Sequence, residues 1–209
     1  MKTIVLLANG VPPSHAVPRR VLSDASVLIC CDGACTKARA FGRAPDWVVG
    51  DGDSIPSDER RSLGSRFVAD AEQNTNDLCK AFRLARRLAG RETVRLAILG
   101  ATGLREDHTI GNIFHLPDFA ADIPDTTIYT DAGTFVAVLG TRTFTCRPND
   151  AVSVFAPQPG THATSVGLKW PLDGVDLAPL WAGTLNRATG DQFTVRTDHP
   201  LLVYRPYDQ

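Results

Sequence analysis

The sequence predicts an α/β domain with a doubly wound, mostly parallel sheet over residues 1–122, then an all-β sandwich or barrel domain over residues 123–209. Three observations carry this. Short apolar runs of strand length alternate with helix-period segments as far as Pro117, the pattern of βαβ units. The ends of those runs hold Asn9-Gly10, Asp32-Gly33, Asp51-Gly52-Asp53 and the 100–107 stretch, and a parallel α/β sheet binds its ligands beyond such ends. After about Asp125 the texture changes to short runs rich in β-branched and aromatic residues. Ala132-Gly133, Pro148-Asn149-Asp150 and Pro159-Gly160 punctuate them. The boundary therefore falls between Pro117 and Asp125.

Residues 3–7 read as the first strand, closing on Asn9-Gly10. The apolar core there runs only from Ile4 to Ala8, too short for a signal peptide. Residues 27–31 form a second strand, and Asp32-Gly33-Ala34 leads into a helix that reaches about Phe41 and ends at Gly42. Residues 47–49 are a third strand, feeding Gly50-Asp51-Gly52-Asp53-Ser54-Ile55. Residues 56–63 read as a short helix with Ser57 as cap and Asp58 and Glu59 in its first turn. A short strand follows at 66–69.

The clearest helix comes after Gln73-Asn74-Thr75-Asn76-Asp77. Leu78, Ala81, Phe82, Ala85 and Leu88 share one face, Gly90 closes it, and Thr75 or Asn76 caps it. Arg83, Arg86, Arg87 and Arg91 are expected to form a solvated face that complements the helix dipole. Residues 95–99 make a buried strand, and a helix from about His108 to Leu116 is expected to stop at Pro117. Runs at 126–130, 134–139, 142–147, 152–155, 162–166, 192–197 and 201–204 supply the antiparallel part.

Composition narrows the function. With 43% apolar and 22% charged residues and a formal net charge of −1, the chain is an ordinary globular protein without an electrostatic footprint for nucleic acid. No apolar run approaches the roughly 20 residues of a membrane span. The five cysteines include no C-x-x-C pair and have no histidine at zinc spacing, so buried reduced thiols are expected, in a cytoplasmic protein.

The acidic stretch holds the chemistry. In extended chain, side chains at i and i+2 project the same way, so Asp51 and Asp53 are placed to converge. Two close carboxylates repel unless a proton or cation lies between them, and Mg²⁺ is commonly held by one or two carboxylates with water and substrate phosphates. The alternative is an acidic turn at a strand end. No G-x-x-x-x-G-K-[ST] and no G-x-G-x-x-G occurs. A carboxylate route to phosphate chemistry remains: Asp51, Asp53 and Asp77 around Mg²⁺, with Arg105 and the N–H groups of the 100–103 loop on phosphate oxygens. Asp107 and His108 lie at a helix start on the same rim. Each has a plainer reading: Asp77 and Asp107 as caps, His108 bonded to a backbone carbonyl, Lys80 as a solvated helix residue, Trp170 as a core aromatic.

Taken in order, Gly50-Asp51-Gly52-Asp53-Ser54-Ile55, Gln73-x-x-x-Asp77-x-x-Lys80-Ala81 and Gly100-x-x-Gly103-x-Arg105-x-Asp107-His108 resemble the signature of thiamine pyrophosphokinases. Gly167-Leu168-Lys169-Trp170-Pro171-Leu172, Asn186 and Thr197-Asp198-His199-Pro200-Leu201-Leu202 extend the resemblance over nearly the whole chain. It implies an ATP-binding α/β domain, a thiamine-binding β-sandwich, and a homodimer with active sites between subunits. The implied reaction moves a diphosphate from ATP to the hydroxyethyl group of thiamine, releasing AMP. By position, Asp51, Asp53 and Asp77 match the metal-binding acids and, with Asp107, the catalytic set. Arg105 matches a nucleotide-phosphate contact, and Asp32, Ser54 and His108 are grouped with it. Gln73, Asp107 and Asn186 match thiamine-site positions. Many relatives have serines just before that asparagine; here stands Gly183-Thr184-Leu185, with Thr184 supplying a hydroxyl.

Phosphoryl-type transfer consists mainly of positioning and charge neutralisation, which metal-holding acids and an arginine provide. Asp77 and Asp107 are the candidates for general base. Three other readings compete. They are a pyrophosphokinase for another heterocyclic alcohol such as a pterin, a non-catalytic ATP or thiamine sensor, and a Mg²⁺-dependent nucleotide hydrolase.

Overall fold

Strands β1 (Lys2–Leu7), β2 (Val27–Cys31) and β3 (Trp47–Gly50) alternate with helices α1 (Ala16–Ser23), α2 (Ala34–Ala40) and α3 (Ser57–Leu63). Then come β4 (Phe67–Ala69), α4 (Asp77–Ala89), β5 (Val94–Leu99), α5 (Glu106–Phe114), α6 (Leu116–Asp122) and β6 (Thr126–Tyr129). The structure, a computed structural model, describes Met1–Tyr207. Its contacts divide it into two units: Met1–His115 with Asp122–Asp131, and Leu116–Ala121 with the chain from Ala132 onward.

In the first unit the strands run β6-β5-β1-β2-β3-β4, every neighbouring pair parallel. Ile4, Val5, Leu6 and Leu7 are all fully buried, because a parallel sheet covered on both faces needs an apolar run rather than an alternating one. Val5, Leu7, Leu28, Cys30, Val48, Ala97 and Leu99 meet Leu22 of α1, Ala34 and Ala38 of α2 and Leu63 of α3 on one face. Helix α4 packs on β1, β2 and β3 without joining that cluster and covers the other face. Of its expected stripe Leu78, Ala81, Phe82 and Ala85 are buried and Leu88 is half-buried, and Asn76 is the cap, accepting the Cys79 N–H at 3.0 Å.

Four local expectations need correction. Helix α1 was not anticipated; Pro18 sits in its first turn, where a missing N–H costs nothing, and the His15 imidazole accepts from Val17 N at the cap. Ser57 is the first residue of α3 rather than its cap, which is Pro56 and makes no side-chain bond. Pro117 does not stop a helix. Helix α5 ends at Phe114, and Pro117 lies in the first turn of α6. The 126–130 run, expected among the antiparallel strands, supplies β6, which pairs in parallel with β5.

The second unit contains β7 (Gly133–Val138), β8 (Thr141–Thr145), β9 (Ala151–Phe155), β10 (Ala163–Val166), β11 (Asn186–Arg187), β12 (Gln192–Thr197) and β13 (Leu201–Pro206). All its strand pairings are antiparallel: β11-β9-β13-β7 in one sheet and β10-β12-β8 in the other. Val136, Val152, Val154, Leu201 and Val203 of the first meet Phe144, Phe193 and Val195 of the second, the filling of a β-sandwich. Phe144 and Phe193 stack with ring centroids 4.8 Å apart. Among the described residues no helix is long and apolar enough to cross a membrane.

Candidate functional site

Strand β1 is the first in sequence, β2 to β4 extend from one of its sides, and β5 pairs on the other. The connections leaving β1 and β5 therefore part, opening the crevice in which open α/β sheets bind ligands. The residues after β1 stay beside those after β5. Gly10 N donates to Gly100 O at 2.7 Å and Val11 N to Thr102 O at 2.9 Å. A Cβ on Gly10 would stand 2.3 Å from Gly100 O, so only glycine allows this approach. The Lys37 ammonium donates to the carbonyls of Asn9 and Gly10 at 2.7 and 2.8 Å and ties the turn down. A cavity of about 470 Å³ opens there, lined by Asn9, Asp51, Ser54, Gln73, Asp77, Lys80, Arg105 and His108 among others.

The acidic stretch is a turn and not an extended strand end, so the i, i+2 argument for extended chain does not apply to Asp51 and Asp53. Gly52 has φ +85°, which glycine adopts without strain. Asp53 N donates to Asp51 Oδ1 at 3.1 Å. Asp51 lines the cavity, while Asp53 is exposed and does not. Asp32 stands behind the turn, 4% exposed, and accepts Gly52 N on Oδ1 at 3.1 Å and Ser54 N on Oδ2 at 3.0 Å. Grouped in sequence with the phosphate contacts, Asp32 is placed as the anchor of the loop that carries Asp51 and Ser54. Its φ of +38° lies in the left-handed region that Asp tolerates better than most residues.

Asp77 opens α4 with its side chain 45% exposed, and Lys80 Nζ donates to its Oδ1 at 3.2 Å. Lys80, one of whose readings was a solvated helix residue, is 4% exposed and lines the cavity. The Cys31 thiol donates to the Asp77 carbonyl at 3.5 Å, and burial holds that thiol well above its ordinary pKa. None of the five cysteines forms a disulfide; Cys30, Cys31 and Cys35 are buried and Cys79 and Cys146 half-buried.

The loop before α4 is organised by Arg83, which was expected to be solvated. Its guanidinium donates to Asp70 at 3.2 Å, Glu72 at 3.3 Å and the Thr75 hydroxyl at 3.1 Å. Glu72 also accepts from the Thr75 hydroxyl and from the N–H groups of Asn74 and Thr75. The Thr75 hydroxyl, first among these donors, holds the Glu72 carboxyl below its ordinary pKa. Asn76 donates to Asn112 Oδ1 at 3.0 Å, and Asn112 donates to Ala101 O at 2.9 Å, joining the cap of α4 to the later part of α5 and to the turn after β5. Asn9 and Asn112 are cavity residues that sequence reasoning missed. Asn9 stood at a recognised strand end; Asn112, inside a helix, gave no signal.

Arg105 caps α5 and lines the cavity. Its Nε and Nη2 donate to the two carboxylate oxygens of Asp107, with Nε 3.1 Å from Oδ1. That fork first, and then His108 N at 2.8 Å, pull the Asp107 pKa down to about 2. His108 lines the cavity and is exposed.

Thr184 and Asn186 lie in the second unit. The Thr184 hydroxyl donates to Trp181 O at 2.7 Å within a turn. Asn186 is 4% exposed and bonds the backbone of Trp170 twice, Oδ1 accepting Trp170 N at 3.1 Å and Nδ2 donating to Trp170 O at 2.6 Å. Trp170 is not a core aromatic: it is 52% exposed, with Lys169 Nζ 4.7 Å from its ring.

Among the described residues no three His, Cys, Asp or Glu side chains stand together as a metal centre. Asp51 and Asp77 nevertheless line one cavity, and Mg²⁺ commonly takes one or two protein carboxylates and completes its shell with phosphates and water. The donor set fits that ion.

The catalytic-domain model described as thiamin pyrophosphokinase, catalytic domain, matches residues 18–128. The model described as thiamin pyrophosphokinase, substrate-binding domain, matches residues 133–204. No curated protein matches the chain. Among solved structures, it resembles thiamine pyrophosphokinase from Bacillus subtilis at 22% identity and TM-score 0.79, covering 100% of both chains. Thiamin pyrophosphokinase from Geobacillus thermodenitrificans aligns at 22% identity and TM-score 0.78 over 99% of this chain and 98% of that one. The Candida albicans enzyme aligns at 16% identity and TM-score 0.79 over 99% and 89%. At such identities the structures speak for the fold alone. The two family models, which follow one another along most of the chain, go further: this chain belongs to the thiamin pyrophosphokinase family.

Proposed function

We propose that this chain transfers a diphosphate group from ATP to the hydroxyl of thiamine, giving thiamine diphosphate and AMP in the cytoplasm. The observation that carries the reading is that Asp51, Asp77, Lys80, Arg105 and His108 line one and the same cavity in a chain of this family. The thiamine hydroxyl oxygen bonds to the β-phosphorus. The bond from that phosphorus to the oxygen bridging it to the α-phosphorus breaks, and AMP leaves with that oxygen. The hydroxyl proton goes to a carboxylate at the rim, Asp77 or Asp107. Asp51 and Asp77, with Asp53 on the adjoining turn, would hold Mg²⁺, which supplies charge neutralisation to the polyphosphate. Arg105 presents a planar fork suited to phosphate oxygens, and it stands at the start of α5, the positive end of that helix's dipole. Gln73 and Asp107 on the α/β side, and Thr184 and Asn186 on the β side, are the proposed thiamine residues. Asn186 acts through the Trp170 backbone that it holds.

Incubating the protein with ATP and Mg²⁺, with and without thiamine, tests this. AMP formed only with thiamine supports diphosphate transfer. AMP formed without it supports a hydrolase, a pterin-dependent product supports the other pyrophosphokinase, and no turnover supports a sensor. We further propose a homodimer in which thiamine lies between the α/β part of one subunit and the β part of its partner. Inactive Asp51→Ala and Asn186→Ala chains, mixed with subunit exchange, would then regain roughly a quarter of wild-type activity. Mixtures no better than either variant would refute the shared site.

A further inference from the structure

Lys80 is the most deeply buried cation at the cavity. Only 3% of its side chain is exposed, yet it is among the lining residues. An ammonium carries three donor hydrogens and no acceptor. Among the described residues it makes one hydrogen bond, to Asp77 Oδ1 at 3.2 Å. Asp77 is itself 45% exposed, so water weakens the compensation that it offers. A buried charge is costly unless paired and hydrogen-bonded, and a sequence needing only a structural side chain here has apolar alternatives of similar length. Lys80 lines the cavity that receives ATP in the reading above, and lysine is a standard point-charge partner of phosphate.

We propose that Lys80 is a polyphosphate-binding residue of this site, resting on Asp77 and donating its remaining hydrogens to a phosphate oxygen of the bound triphosphate. The proposal rests on the diphosphate-transfer reading for the identity of the ligand, and on its own geometry for the contact. It differs from a role confined to orienting Asp77, because direct phosphate contact acts when no divalent cation is present.

The test uses the full chain in buffer containing a chelator, with ATP, inorganic triphosphate and adenosine as probes in calorimetric titrations. A charge-assisted hydrogen bond to phosphate predicts that Lys80→Met weakens ATP and triphosphate roughly ten- to hundredfold and leaves adenosine unchanged. Lys80→Arg, which keeps the charge, should restore most of that affinity. Equal affinities in wild type and Lys80→Met, or a loss that extends equally to adenosine, overturn the proposal. If Lys80→Met does not fold, the wild-type chain decides. The ¹⁵Nζ resonance of Lys80, assigned with Lys80→Arg, should move on adding triphosphate and stay still with adenosine; an unmoved resonance refutes the contact. Thiamine-dependent AMP formation is measured in parallel. AMP formation with Lys80-independent triphosphate affinity removes this inference alone, whereas Lys80-dependent affinity without AMP formation removes the diphosphate-transfer reading alone.

Discussion

Asp32 offers the sharpest check on how the site is built. Its carboxylate accepts two backbone N–H groups of the acidic turn, Gly52 at 3.1 Å and Ser54 at 3.0 Å, and it is 4% exposed. A hydrogen bond to a charged group contributes about 1.5–3 kcal/mol, so losing both in Asp32→Ala costs about 3–6 kcal/mol. Forcing alanine into the left-handed conformation, at φ +38°, adds about 1 kcal/mol. Against a typical domain stability of about 5–15 kcal/mol that is a large share. Asp32→Asn keeps one acceptor and tolerates the backbone, so about half the loss is expected. Urea unfolding gives the stability change, and amide hydrogen exchange at Gly52 and Ser54 reports on the turn. Because the turn carries Asp51, activity should fall further than the unfolded fraction explains. Asp32→Ala within about 0.5 kcal/mol of wild type, with both amides still protected, would refute the anchoring role.

Arg83→Ala should raise hydrogen exchange throughout the 70–76 loop and raise the KM for thiamine more than it lowers kcat, since Gln73 rides on that loop; Arg83→Lys should rescue only part, lacking the fork that spans Asp70, Glu72 and Thr75. The Asp107 carboxyl should titrate near pH 2 by carbon NMR, because Arg105 and His108 N favour its ionised form. Its folded pKa lies below the unfolded value of about 3.9, so its contribution to stability is complete above that pH and is lost as pH falls toward about 2. Arg105→Ala should return the titration toward the ordinary carboxylate range. Asn186→Ala should release the Trp170 backbone and shift its fluorescence; an unchanged spectrum would count against that support. Alkylation at pH 8 should spare Cys30, Cys31 and Cys35, all buried, with burial raising the Cys35 pKa to about 11; label on any of them before Cys79 would contradict that.

The sequence by itself determined what depends on near neighbours. The 27–31 run is apolar throughout because both faces of its strand are covered, and that reads directly as a buried parallel strand. Helix α4 was legible from its 3.6-residue stripe and from Asn76 as its cap, and the change to short β-branched runs announced the sandwich. The family signature placed Asp51, Asp77, Arg105 and His108 in one list, and the fold brings all four to one cavity. Helix α1 and the start of α6 were missed because a proline inside a helical segment reads as a break, whereas in a first turn it breaks nothing. Only the tertiary structure decided the partners of polar groups. It put Asp32 behind the acidic turn, Arg83 on Asp70 and Glu72, Asn186 on Trp170, and the Lys80 charge inside. Asp32 and Ser54, like Asn186 and Trp170, are 22 and 16 residues apart in sequence. Periodicity reports which face of an element is apolar; it carries no information about which distant donor or acceptor satisfies a buried polar atom, because chain crossings set that.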